Sequence, residues 1–240
     1  MWHGGRPDTA APPLGPEPPK LCRLCPRLAS FRDAAQVKSP SWFNGAVPSF
    51  GDAGASLLIV GLAPGLKGAN RTGRPFTGDY AGELLYATLL EFGFAKGRYE
   101  ARIDDSLQLA DCMITNAVRC VPPENKPTPA EIATCRTFLA ARIAQMPNLK
   151  VIIALGRVAH DSTLSTLQCR KSSFPFAHAA RHELPSRVAL FDSFHCSRYN
   201  TNTGRLTPER FRAVFAAVRE AIAAPQPTRA RAPGAATRCD

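Results

Sequence analysis

Three groups of residues in this chain could do chemistry. The first is a set of cysteines: Cys22-x-x-Cys25, just ahead of Pro26, with Cys120 and Cys135 further on. Thiolates two residues apart can reach one metal centre and a second pair can complete it, a spacing that fits zinc and an iron–sulfur cluster alike. The second group is the stretch Val60 to Asp79, GLAPGLKGANRTGRPFTGD after Val60, with Gly61, Gly65, Gly68, Gly73 and Gly78. Glycines let backbone N–H groups approach a ligand closely, and Lys67, Arg71 and Arg74 add positive charge, so a bound anion is expected here. It is not a P-loop, because Lys67 precedes Gly68-Ala69 and no Gly-Lys-Ser/Thr follows; nor do Gly61, Gly65 and Gly68 have the dinucleotide spacing. The third group is the polar run from His195 through Ser197, Asn200 and Arg205 to Thr207.

The elements that must position these groups can be read from periodicity and punctuation. Apolar runs at Leu57–Val60, Cys112–Val118, Val151–Gly156 and Val188–Phe194 read as strands, the third as a central parallel one. Between them lie a helical pattern from about Tyr80 to Phe92, ended by Gly93, and a helix that starts at Thr128-Pro129-Ala130-Glu131 and carries Cys135. Shorter helices are expected from Pro26 to about Val37 and from Arg157, and a final one from Thr207-Pro208 to about Ile222. Residues 169–184 give no clear pattern. Strands alternating with helices predict a three-layer α/β/α domain with a mostly parallel sheet of about four strands. Both functional loops then fall at carboxyl ends of strands, where open α/β sheets bind ligands.

Composition bounds the rest. At 240 residues, 45% hydrophobic and 20% charged, the chain suits one globular domain, read as residues 21–222 between a Pro/Gly-rich tail (1–20) and a second tail (223–240). No apolar run reaches membrane-span length and no signal-peptide core precedes the domain, so a cytoplasmic monomer with no membrane contact is expected. Of the net charge of +11, residues 1–20 contribute none and 223–240 contribute +2, which leaves +9 on the domain. A polyanion such as nucleic acid is the expected partner. Eight cysteines without an export signal point to metal or thiolate chemistry. Cys112, Cys169 and Cys196 read as structural and Cys239 as a free thiol in the tail.

The loop Gly-Leu-Ala-Pro-Gly with Asn-Arg-Thr-Gly-Arg-Pro-Phe-Thr-Gly-Asp, the strand end Thr115-Asn116-Ala117-Val118-Arg119-Cys120, and His195-x-Ser-x-x-Asn-Thr-x-Thr-Gly-Arg-Leu-Thr together resemble the family 5 (type B) uracil-DNA glycosylases over roughly residues 22–222. The resemblance implies a single α/β domain stapled by a structural [4Fe-4S] cluster on Cys22, Cys25, Cys120 and Cys135. It also implies hydrolysis of the N-glycosidic bond of a damaged base in DNA. His195 would then hydrogen-bond a base carbonyl in the transition state, Phe76 would stack on the extruded base and Asn116 would read its edge. Gly61, Leu62, Pro64, Gly65, Asp79, Ser197, Asn200 and Arg205 would line the substrate site.

The chain departs from the superfamily motif Gly-Gln-Asp-Pro-Tyr. Leu62, Ala63 and Gly65 stand at the Gln, Asp and Tyr places, and family 5 shares this lack of a carboxylate at the position of Ala63. Water would be held by Asn70, ranked first, by Asp79 or by backbone groups. With Gly65 in place of the tyrosine wall, hypoxanthine and other modified bases are expected substrates beside uracil. Two other readings remain open: a metal-stapled, non-catalytic nucleic-acid-binding module, and an enzyme acting on a small phosphorylated substrate.

Overall fold

The computed structural model describes residues 15–224. In chain order the elements are α1 (Pro26–Lys38), β1 (Phe50–Gly51), β2 (Leu57–Gly61), α2 (Ala69–Thr72), α3 (Tyr80–Glu91), β3 (Ala95–Lys96), β4 (Gln108–Leu109), β5 (Cys112–Asn116), α4 (Pro129–Ala144), β6 (Val151–Leu155), α5 (Arg157–Thr166), β7 (Arg181–Glu183), β8 (Ala189–Ser193), α6 (Arg198–Asn202) and α7 (Pro208–Ala223). Single 3-10 turns lie at Pro123–Asn125 and Lys171–Ser173.

One six-stranded sheet has the order β1-β5-β2-β6-β8-β7, and β3 pairs only with β4. The four strands legible in the sequence are its centre, all mutually parallel: β2 pairs with β5 and β6, and β6 with β8. The expectation of about four strands is corrected at the edges, where β1 and β7 pair antiparallel with β5 and β8. These edges are two and three residues long, too short for an alternation to register. β7 lies in the stretch 169–184 that gave no pattern.

All five residues of each central strand are buried, as strands covered on both faces should be, the polar ones (Thr115, Asn116, Asp192 and Ser193) falling toward the carboxyl ends of β5 and β8. Alternate side chains divide between two cores. Leu57, Ile59, Ile153 and Phe191 meet Leu85 and Leu89 of α3 and Phe211 and Phe215 of α7. Leu58, Val60, Ile152 and Leu190 meet Leu139 of α4 and Ala159 and Leu164 of α5. The result is three layers, and no helix among the described residues is long and apolar enough to cross a membrane.

Residues 15–20, placed in the tail by composition, belong to the structure. Pro18 is buried, and the Glu17 carboxylate accepts from Arg119 at 2.8 Å, from Arg142, and from the Ser49 N–H at 2.9 Å. The remainder of both expected tails, Cys239 included, lies outside the described residues.

After β2 the chain crosses to β5 on one side, then returns past β2 to β6 on the other. The order therefore reverses at the carboxyl end of β2, which is where such sheets open a crevice. Register places Gly61 of β2 opposite Asn116 of β5, and β8 delivers His195 two residues beyond its end.

Candidate active site and cysteine cavity

A recess with about 240 Å³ of empty volume sits at that crevice, lined by Ala63, Pro64, Gly65, Phe76, Asp79, Asn116 and His195 among others. Gly61, which is not itself in the lining, sets how closely two of these residues approach. A Cβ there would stand 2.4 Å from Asn116 Oδ1 and 2.6 Å from Phe76 Cζ, so only glycine lets the amide and the ring close over the strand end. Phe76 is buried at φ 52°, a costly conformation for a bulky residue held at the recess by its surroundings. Its ring stacks with the imidazole of His195, centroids 5.8 Å apart and planes 27° apart. Asn116 is 3% exposed, and its Oδ1 has no hydrogen-bond partner among the described residues. A buried acceptor without a partner is costly, and this one lines a recess able to admit a donor.

His195 is half-buried, with its backbone carbonyl accepting from Asn200 Nδ2 at 2.8 Å. Burial lowers its pKa to about 4, so at neutral pH the ring is an uncharged donor. The unfolded chain takes up a proton on this residue at about 6.5, the folded chain only near 4. Its contribution to stability is therefore complete above pH 6.5 and lost as pH falls toward 4. Thermal midpoints of wild type and His195→Ala, measured from pH 7.5 to 4.5, are expected to show the wild type losing ground to the variant on acidification. A constant difference across that range would show that His195 titrates like an exposed histidine.

Asp79 also lines the recess. It is the N-cap of α3, its Oδ1 accepting from the Gly82 N–H at 3.3 Å. A Cβ at Gly65 or Gly68 would come within 2.9 or 2.2 Å of its Oδ2, so these two glycines make room for the carboxylate. Burial raises its pKa, and the N–H groups of Gly82 and Ala81 oppose that rise. Asn70, ranked first to hold water, is placed elsewhere. It is fully buried and does not line the recess; its Nδ2 donates to Asn44 Oδ1 at 2.9 Å, and its Oδ1 is without a partner among the described residues.

The recess opens into a larger groove of about 1830 Å³ whose walls include Leu62, Lys67, Asp79, Glu124, Ser197 and Arg198. Lys67 and Arg198 are exposed, as is Tyr199, 72% accessible at the rim. Arg74 does not serve as the anion-binding cation the loop suggested. It is buried and makes a bidentate pair with Asp105 at 2.8 and 2.7 Å, under the rings of Tyr86 and Tyr99. Ser197 caps α6, while Asn200 braces the His195 carbonyl and Arg205 lies over the Phe194 ring at 4.3 Å. Of these three, Ser197 alone lines the groove.

The four expected ligands meet in a second cavity, about 320 Å³ of empty volume, lined by Cys22, Cys25, Cys120 and Cys135. Cys25 is the N-cap of α1, ahead of Pro26, Cys120 follows β5, and Cys135 lies on α4. The Arg32 guanidinium, 1% exposed, donates to Cys120 Sγ at 3.2 Å and to the Cys22 carbonyl at 2.9 Å, and the Arg119 N–H donates to Cys135 Sγ at 3.2 Å. Arg32 pairs with no carboxylate among the described residues, and its Nε has no partner. Ala63 packs against this cysteine core and also lines the recess, so the two sites share a wall.

Comparison with known proteins gives the same assignment along the chain. The family model of the uracil DNA glycosylase superfamily matches residues 48–219. A type-5 uracil-DNA glycosylase of Thermus thermophilus is 45% identical over 196 residues, 79% of this chain and 89% of its own. Enzymes of the same name from Mycobacterium bovis and Pyrobaculum aerophilum are 39% and 35% identical, over 81% and 78% of this chain and 76% and 83% of theirs. The chain belongs to the type-5 uracil-DNA glycosylases.

Within that family member, sequence reading missed several residues. Arg32 stands with Leu28, Ala29 and Ala35 on the buried side of α1; a charge at an apolar spacing was the available signal. Glu17, Arg198 and Tyr199 carried no such signal, since only the fold brings them to the site.

Proposed function

We propose that this chain removes uracil from DNA by flipping the nucleotide into the recess and hydrolysing its N-glycosidic bond, leaving an abasic site. The observation that carries the reading is the buried Asn116 amide, its Oδ1 unpartnered among the described residues, in the wall of a recess that the stacked Phe76 and His195 also line. Uracil offers one face to stack on Phe76, an N3–H for Asn116 Oδ1 and a neighbouring carbonyl for Asn116 Nδ2. As the bond from the sugar C1′ breaks, its electron pair leaves with the base and spreads over the carbonyl oxygens. The uncharged His195 donates to that developing charge. Water adds to C1′, and in this reading Asp79, which lines the recess as Asn70 does not, orients it and receives its proton. Ala63 leaves the carboxylate place of the superfamily motif empty, and Asp79 reaches the same recess from the start of α3.

DNA is the partner, held by the basic surface around the groove, so binding should weaken steeply with salt. Lys67 is exposed, and a Schiff-base lysine needs a desolvated pocket, so the reaction is hydrolysis without strand cleavage. Gly65 brings no side chain to the recess wall, where a larger residue would meet the Asp79 carboxylate, and on that missing side chain rests the proposed acceptance of hypoxanthine and substituted uracils.

The cysteine cavity fits a [4Fe-4S] cluster on Cys22, Cys25, Cys120 and Cys135. A buried guanidinium without a carboxylate calls for an anion, and metal-bound thiolates would supply it. A single zinc would gather its sulfurs to about 3.8 Å. Among the described residues the trio of ligand-type side chains within 4.8 Å of one another is His160, His182 and Asp192, so the thiols are spread more widely than zinc requires. When bound, the cluster ties three segments together and takes no part in the hydrolysis.

One assay tests the reading. An oligonucleotide carrying uracil, or in parallel hypoxanthine or 5-substituted uracils, is incubated with the protein and then treated with alkali. Breaks at uracil that appear only after alkali are expected. Intact strands would leave the non-catalytic binding module as the better reading, and breaks confined to uracil would remove the broader base range.

A further inference from the structure

A buried polar cluster between α5, β7 and β8 has no part in the base recess or the cysteine cavity. Asp192 of β8 is wholly buried, and each of its oxygens faces an imidazole. Oδ1 lies 2.7 Å from Nδ1 of His160 on α5, and Oδ2 lies 3.1 Å from Nε2 of His182 on β7. The other nitrogen of His160, Nε2, is 2.9 Å from the carbonyl oxygen of Phe174, which can only accept. Nε2 therefore carries the hydrogen. In a neutral imidazole Nδ1 then holds a lone pair directed at a carboxylate oxygen, and two acceptors this close in a buried site need a cation beside them. That positive charge is either a proton held between His160 and Asp192 or a metal ion.

The surroundings favour the metal. Three ligand atoms from three separate elements lie within 4.8 Å of one another. Anchoring of a ring N–H on a backbone carbonyl, as Phe174 does for His160, is how metal-binding imidazoles are oriented. Two imidazoles and a carboxylate suit zinc and its first-row neighbours. The rings of Phe174 and Phe176 pack edge-on against His182 and His160, while the His182 side chain, 12% exposed, leaves a path for entry. The segment that carries His182 has one 3-10 turn and a three-residue edge strand between α5 and β8, so it has little regular pairing of its own. We propose that His160, His182 and Asp192 bind a divalent first-row cation, zinc foremost, which staples this segment to the sheet.

The full chain, purified without chelators, is the material for the test, with zinc chloride as the probe. Zinc and iron per chain are counted by mass spectrometry in the same sample, and the thermal midpoint is followed as zinc is added. Wild type is expected to hold a single zinc ion that His182→Gln lacks, and to gain thermal stability with zinc where the variant does not. Affinity should fall at least about tenfold, since loss of a supporting partner alone costs that much. His182 is at a sheet edge, so its glutamine variant should fold; Asp192→Asn, which keeps the shape and removes the charge, is the second variant and should behave alike. Equal zinc content and equal response in wild type and variants would overturn the proposal and leave the contact to a proton held between His160 and Asp192. The iron count reports separately on the cysteine cavity.

Discussion

Replacing His195 by alanine is expected to slow single-turnover release of uracil by about 10²–10³-fold, the usual cost of removing one donor aimed at a developing charge. DNA affinity should hardly change, because the uncharged ring lines both the recess and the groove whereas the phosphates are held by exposed cations such as Lys67 and Arg198. The size of the effect follows from where the ring sits. Burial keeps it uncharged, with its pKa near 4, and the stack on Phe76 fixes its plane. Asn200 holds the backbone beneath it, so the donor needs little reorganisation when charge appears on the base. His195→Gln, which keeps a donor of different reach, should recover part of the loss. A rate for His195→Ala close to wild type would mean that the third loop does not face the reacting base.

The parts of this site that were legible in the sequence share a cause. Gly61, Asn116 and His195 sit at or just past strand ends that announce themselves as continuous apolar runs, and a parallel sheet must bring such ends together. The CxxC and the capping box at Thr128 likewise fix local geometry within a few residues, which is why Cys135 could be placed on a helix near Cys120. What was misread depended on partners distant in the chain. Arg74 looks like a loop cation until Asp105, thirty-one residues on, closes on it, and Asn70 looks like a recess residue until Asn44 takes its amide. Arg205 and Asn200 belong to the loop that bears His195, yet one lies on Phe194 and the other props the backbone. Residue type and spacing identify which loops matter, whereas the direction of each side chain is set by packing that no single segment encodes.

The largest remaining effect should come from Asp79→Asn. Asparagine caps a helix about as well as aspartate, so α3 keeps its start and thermal stability should change little. What is lost is the charge that orients and deprotonates water, and such a group contributes about 10²–10⁴-fold to rate. A large fall in single-turnover rate with an unchanged thermal midpoint would therefore separate the catalytic role of Asp79 from its capping role. Asn70→Ala is the matched comparison. It removes the buried hydrogen bond to Asn44 and should cost about 1–3 kcal/mol of stability, yet the protein that remains folded should release uracil at nearly the wild-type rate. Full rate in Asp79→Asn together with loss in Asn70→Ala would reverse the assignment. Full rate in both would leave the water to backbone groups of the first loop, and the glycines at 65 and 68 would then serve the water and not the carboxylate.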